Sequence, residues 1–304
     1  MEYVLKTNSL CKSYGGFRAL NGVSMSVPKG AIYGFIGKNG AGKTTFIRII
    51  CGLQEPTSGD YVLYGKNNTD KDIVKSRRRM GAIVETPSIY LDMTAEDNLK
   101  TQYRIFGLPS FDGLNDILKL VGLENTAKKK AKHFSLGMRQ RLGIAIALVG
   151  DPDFLILDEP VNGLDPQGIV EIRELILKLN HEKQITVLIS SHILDELSRL
   201  ATHYGFIDKG RIIKEITANE LENVCRKCVR VEVTNVKALA VLLDELEIKY
   251  NIISDKTVDI FKKINVSKLV MLLSKRSCEV ISMTERDENL ESYFINLIGG
   301  VTYE

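Results

Sequence analysis

No stretch of this 304-residue chain approaches the ~18–20 consecutive apolar residues that a membrane-spanning helix needs. The longest apolar run, Leu142 to Gly150, is about half that length. The opening segment MEYVLKTNSL has no basic region followed by an apolar one, so no secretory signal is expected. Any membrane role therefore calls for a separate membrane-crossing chain. Charge of one sign is scarce as well. The 41 basic and 38 acidic residues leave a net +3, which demands no nucleic-acid or membrane-surface partner. The five cysteines (Cys11, Cys51, Cys225, Cys228, Cys278) are odd in number and scattered, as in a reducing compartment. Cys225 and Cys228 form one C-x-x-C, but no further His or Cys pair lies near to complete a four-ligand zinc site. Sustained heptads and internal repeats are missing too, which excludes a long coiled coil.

What is present is ordinary globular material, 44% hydrophobic and 26% charged, long enough for one large core or two domains. Residues 1–34 alternate apolar and polar side chains between breaks at Gly15-Gly16 and Lys29-Gly30, which predicts short strands and hairpins. AIYGFI (31–36) predicts a buried strand, followed by a helix over 44–51 that stops at Gly52. Region 86–150 changes character. Thr94 and Asp97 form a capping-box pattern, and helices are expected over 111–121 and 137–149, a helical insertion between two halves of the core. The core resumes with a strand at 154–157, a helix at 166–180, a strand at 185–190, a helix at 193–202 and a hairpin near 205–216. This alternation argues for an α/β fold with a mostly parallel sheet covered on both faces. From about 218 the pattern restarts. A strand at 229–234, a helix at 236–247, a hairpin at 250–261, a helix at 266–275, a strand at 279–284 and a helix at 287–298 predict a small C-terminal α+β domain. The expected boundaries are 1–217 and 218–304.

The loop Gly37-Lys38-Asn39-Gly40-Ala41-Gly42-Lys43-Thr44-Thr45 matches G-x-x-x-x-G-K-[ST] between a strand and a helix. Its glycines let backbone N–H groups converge on phosphate oxygens, and the helix N-terminus adds partial positive charge. Lys43 is expected to reach the β- and γ-phosphates and the Thr44 hydroxyl to ligate Mg²⁺. A kinase, GTPase, helicase or transport ATPase would all carry such a loop. Phe154-Leu155-Ile156-Leu157-Asp158-Glu159-Pro160 is an apolar strand ending in two carboxylates. Alternation along the strand sends them in opposite directions, so Asp158 suits the metal and Glu159 the attacking water.

The segment Phe134-Ser135-Leu136-Gly137-Met138-Arg139-Gln140-Arg141 resembles the signature motif of the ABC transporter ATPases, placed before the acidic strand as in that family. The resemblance covers roughly residues 1–216, with the motifs in the family's order. It implies an ATPase core with an antiparallel β subdomain and a helical subdomain over about 86–150. Asn162-Gly163-Leu164-Asp165 resembles the D-loop, His192 the switch histidine that bridges phosphate and Glu159, and Tyr14 the aromatic that stacks on adenine. ATP and Mg²⁺ follow as the implied ligands. Ser135 and Gly137 are implied to meet ATP held on a second ATPase subunit, with transmembrane permease subunits as partners. The implied location is the inner face of the cell membrane. Glu85 stands where most of the family has glutamine; a carboxylate there holds a cation more strongly than an amide. Glu85 with the Ser-Leu-Gly-Met signature, and Leu290-Glu291-Ser292-Tyr293-Phe294 before Gly299-Gly300, resemble the branch handling bacitracin and lantibiotic peptides. That implies export of, or self-protection against, such peptides. The alternative is a soluble ABC ATPase acting on ribosomes or DNA, against which stand the single ATPase domain and the small net charge.

Overall fold

The computed structural model describes residues 2–225, 228–261, 265–286 and 290–299. Two compact units divide the chain, Met1–Ala218 and Asn219–Glu304. The first begins with β1 (Tyr3–Tyr14), β2 (Phe17–Val23), β3 (Ser26–Pro28), β4 (Ile32–Ile36), α1 (Lys43–Ile50), β5 (Ser58–Leu63) and β6 (Lys66–Asn67). It continues through α2 (Ile73–Arg77), β7 (Met80–Ile83), α3 (Ala95–Phe106), α4 (Leu114–Leu120), α5 (Leu136–Ala147) and β8 (Phe154–Asp158). α6 (Pro166–Lys183), β9 (Thr186–Ser191), α7 (Leu194–Ser198), β10 (His203–Asp208) and β11 (Arg211–Thr217) follow, and α8 (Ala218–Val224) belongs to the second unit except for its first residue.

One sheet is antiparallel, in the order β2-β1-β5-β6 with β3 also on β1. The other runs β11-β10-β4-β9-β8-β7 and is parallel except for β11 at its edge. Every residue of β4, β8 and β9 is buried. These strands are therefore apolar almost throughout, as strands covered on both faces must be. α1 seals one face with Phe46, Ile47, Ile49 and Ile50, all fully buried, each worth ~1.5–3 kcal/mol relative to exposure. Because the strands are parallel, the segments that follow β4, β8 and β9 emerge at one edge of the sheet. Ile36 pairs with Ser191 and Asp158 with Ser190. That edge holds the site.

The helical insertion contains α3 to α5. Thr94 and Asp97 make the expected reciprocal capping box at the start of α3. Two helices differ from the pattern reading. The helix expected over 111–121 begins only at Leu114, because the preceding residue, Gly113, sits at φ 78. The helix expected over 193–202 spans only Leu194–Ser198, and the chain turns early to enter the next strand. That strand, β10, forms the expected hairpin with β11 and also joins the parallel sheet. It starts at His203 and pairs in parallel with β4 as well as antiparallel with β11, which explains why Tyr204, Phe206 and Ile207 are buried.

After α8 the second unit comprises β12 (Cys228–Val233), α9 (Val236–Glu245), β13 (Tyr250–Ile252), β14 (Thr257–Ile260), α10 (Val266–Ser274), β15 (Val280–Arg286) and α11 (Leu290–Gly299). The final helix expected over 287–298 starts, among the described residues, at Leu290; residues 287–289 and Gly300 lie outside them. The sheet order is β13-β14-β12-β15 with every neighbour antiparallel. From β12 to β15 the order of elements is βαββαβ, the split-βαβ plait. Val229, Val231, Val233, Val258 and Ile260 pack with Leu239, Leu243, Leu269 and Leu273 in one core. Arg230 and Asp259, opposite each other on β12 and β14, form a two-pronged ion pair at 2.6 and 2.7 Å.

Candidate active site

The loop between β4 and α1 is built from glycines for two distinct reasons. A Cβ at Gly37 would meet the Ile207 carbonyl oxygen at 2.6 Å, and one at Gly42 would meet that of Ala19 at 2.6 Å. Gly40 has open space around it but a φ of 80, which other residues adopt only with strain. The N-cap of α1 has no side-chain hydrogen bond, so the first amides of the helix remain available to an anion. Lys43, only 6% exposed, folds back over the loop. Its ammonium donates to the Gly37 carbonyl at 2.7 Å and pairs with Glu159 Oε1 at 3.2 Å.

β8 ends on Asp158, and Glu159 is the first residue beyond it. Asp158 is buried, with Oδ1 accepting from the Ser190 hydroxyl. Its Oδ2 is buried with no hydrogen-bond partner among the described residues. A buried carboxylate oxygen left unpaired calls for a ligand, and a hard divalent cation fits it. Glu159 adopts φ 51, a left-handed backbone that costs a non-glycine residue ~1 kcal/mol or more. Its N–H donates to the Ser190 carbonyl at 3.1 Å. His192, in the turn after β9, places Nδ1 2.6 Å from Glu159 Oε2; a carboxylate only accepts, so Nδ1–H is the donor.

A cavity of about 310 Å³ opens over the loop, lined by Phe17, Asn39, Lys43, Thr44, Glu159 and His192 among others. Larger cavities of about 600 and 790 Å³ lie beside α4 and α6 and include no residue of the phosphate loop, nor Asp158, Glu159 or His192, so chemistry rather than volume locates the site. Loop residues Gly37 to Thr45, Asp158, Glu159 and His192 are thus brought together. Others expected at the site stand apart from the cavity. Tyr14 donates its hydroxyl to Gln54 Oε1. Glu85, at φ 62, forms an ion pair with Arg48 Nη2 at 2.8 Å. Ser135 caps α5 by accepting from the Met138 N–H at 3.2 Å, and Asp165 caps α6 by accepting from the Gly168 N–H at 2.9 Å. A Cβ on Gly137 would come 3.9 Å from Gly168 Cα, so these two helix starts face each other. Sequence reading missed Phe17, which lines the cavity together with Asn162 of the D-loop segment. Phe17 pairs with Tyr14 across the β1–β2 turn; an aromatic on each side of Gly15-Gly16 was its only signal.

At the C-terminal end of α1, Cys51 has its thiol pushed up to about 12 by burial, with Arg77 opposing and Asp158 adding to the shift. At pH 8 its thiolate fraction is then on the order of 10⁻⁴. Iodoacetamide labelling of the native protein followed by mass spectrometry is expected to leave Cys51 unmodified and to label it after denaturation.

The ABC transporter family model matches residues 20–162. The chain is 40% identical to the bacitracin transport ATP-binding protein BcrA of Bacillus licheniformis, over 99% of each chain. The chain belongs to the ABC transporter family. It binds and hydrolyses ATP, as members of this family do beside transmembrane permease partners. The lantibiotic transport ATP-binding protein SrtF of Streptococcus pyogenes is 46% identical, over 73% of this chain and 94% of that one. Among solved structures, cbiO1 from Clostridium perfringens, part of the ABC transporter complex cbiONQ, matches with a TM-score of 0.66 at 28% identity. That match covers 73% of this chain and 92% of the other. A dimeric ATP-binding cassette in a post-hydrolysis state with ADP and Pi matches with a TM-score of 0.63 at 26% identity. It covers 70% of this chain and 98% of that one. No helix among the described residues is long and apolar enough to cross a membrane.

Proposed function

We propose that this chain is the ATPase subunit of a membrane exporter or self-protection system for peptide antibiotics of the bacitracin and lantibiotic type. The observation that carries this reading is the 40% identity to a bacitracin transport ATP-binding protein across both chains, second unit included. Glu85 and the Ser135-Leu136-Gly137-Met138 signature point the same way. In this reading the chain sits in the cytoplasm, on the inner face of the membrane, held by its permease. The test is protection. Produced with its membrane subunits in a sensitive host, the chain is expected to raise the inhibitory concentration of bacitracin or a lantibiotic several-fold, and Glu159→Gln is expected to abolish the gain. Protection against neither class, with ATPase intact, would remove the peptide assignment. Co-sedimentation with ribosomes in place of a permease would overturn the transport role.

The residues divide the work as follows. Loop amides and Lys43 hold the β- and γ-phosphates, so Lys43 must leave Glu159 as nucleotide enters. Thr44, Asp158 and Glu85 offer oxygen to Mg²⁺, which when bound neutralises charge on the phosphate oxygens. Glu159, oriented by His192, accepts the proton of the attacking water. Ser135, Gly137 and Asp165 serve a second copy of the chain, whose own loop carries the other ATP. Phe17, at the cavity mouth, supplies a face for the adenine beside Tyr14. Phe17→Ala is expected to weaken ATP binding about tenfold, the value of one base–aromatic contact, and calorimetric titration with ATP against GTP checks it. An unchanged affinity would leave the base to Tyr14.

A further inference from the structure

The edge of the parallel sheet carries two glutamates in matching positions. Ile83 of β7 pairs with Leu157 of β8, and Glu85 and Glu159 each lie two residues beyond that pair. Both have left-handed backbones, φ 62 and φ 51, the kind of strain that concentrates at functional sites. Each is met by a cation from the same helix. Lys43, the first residue of α1, pairs with Glu159 at 3.2 Å, and Arg48, five residues along, pairs with Glu85 at 2.8 Å.

The two ion pairs differ in burial. Lys43 and Glu159 side chains are 6% and 19% exposed, Arg48 and Glu85 37% and 55%. An exposed pair is weak and easily exchanged. Arg48 also lies four residues after Thr44, hence on the same face of α1 one turn below the hydroxyl offered to the metal. A carboxylate committed to Arg48 is not free for a cation beside Asp158 Oδ2. We propose that Arg48 is a positioning residue for Glu85: it withholds the carboxylate from the metal site in the empty protein and gives it up when Mg-nucleotide binds. Arg48 thereby sets the Mg²⁺ concentration at which nucleotide is captured. This rests on the reading that Glu85 serves Mg²⁺.

The test uses the full chain carrying Glu159→Gln to stop turnover. Mg²⁺ is titrated against a fixed concentration of a fluorescent ATP analogue, and the midpoint for nucleotide binding is read. Arg48→Ala is expected to lower that midpoint about threefold, as suits loss of an exposed ion pair, with Arg48→Lys between it and the parent. Glu85→Gln is expected to raise the midpoint, and adding Arg48→Ala to it to change nothing further. An Arg48→Ala shift of the same size with Glu85→Gln present would overturn the proposal, since the arginine would then act on the site's field and not through Glu85. So would a midpoint that responds to Glu85→Gln and ignores Arg48→Ala. A midpoint indifferent to Glu85→Gln would instead remove Glu85 from the metal site, and the role of Arg48 with it. Thermal melting checks each fold, and Arg48→Gln replaces Arg48→Ala if the latter does not fold.

Discussion

Glu159→Gln is expected to lower steady-state phosphate release by about 10³-fold, the usual scale for removing a positioned general base, while ATP still binds. The amide keeps the shape of the side chain and its contact with His192, but it cannot accept the proton of the attacking water. It also cannot hold the Lys43 ammonium, which now sits 3.2 Å from the carboxylate. Lys43 is then free to meet phosphate, so nucleotide affinity should rise. With hydrolysis stopped, the protein in saturating Mg-ATP is expected to elute as a dimer on size exclusion and as a monomer without nucleotide. Unchanged phosphate release would remove Glu159 from the chemistry. Lost release with a monomer throughout would leave Glu159 in place and sink the two-copy site.

Lys43→Ala is expected to weaken ATP binding about 100-fold, the scale of losing charge-assisted hydrogen bonds worth ~3 kcal/mol in a poorly solvated site. The side chain is nearly buried and already poised over the loop, donating 2.7 Å to the Gly37 carbonyl, so little ordering is needed when phosphate arrives. Lys43→Arg should not rescue the loss, because the planar guanidinium is bulkier than the ammonium that fits this space. Calorimetric titration measures all three proteins. An affinity for Lys43→Ala within about threefold of the parent would take the lysine out of phosphate binding.

Both expectations start from residues legible in the sequence, because the phosphate loop and the acidic strand are continuous segments whose chemistry depends on spacing. The capping box of Thr94 and Asp97 was legible for the same reason: its partners are three residues apart. Contacts between distant segments were not. Phe17 reads as one more aromatic until the β1–β2 hairpin places it over the loop. The apolar YGFI of β10 looks the same in a hairpin as in the middle of a sheet, and only its parallel partner β4 distinguishes them. Nothing local marks Arg48 as the counterion of Glu85, since the two are 37 residues apart.

By itself, then, the sequence determined the chemical inventory of this protein: a loop that must be glycine, a lysine to reach phosphate, and paired acids at a strand end. Tertiary structure decided how those groups stand before nucleotide arrives. Parallel pairing of β4, β9 and β8 brings the loop, His192 and the acids to one edge. The same packing leaves Asp158 Oδ2 unpartnered, closes Lys43 onto Glu159 and commits Glu85 to Arg48. Spacing along a chain specifies which groups are available. Only the sheet register and the rotation of α1 above it determine which charges meet.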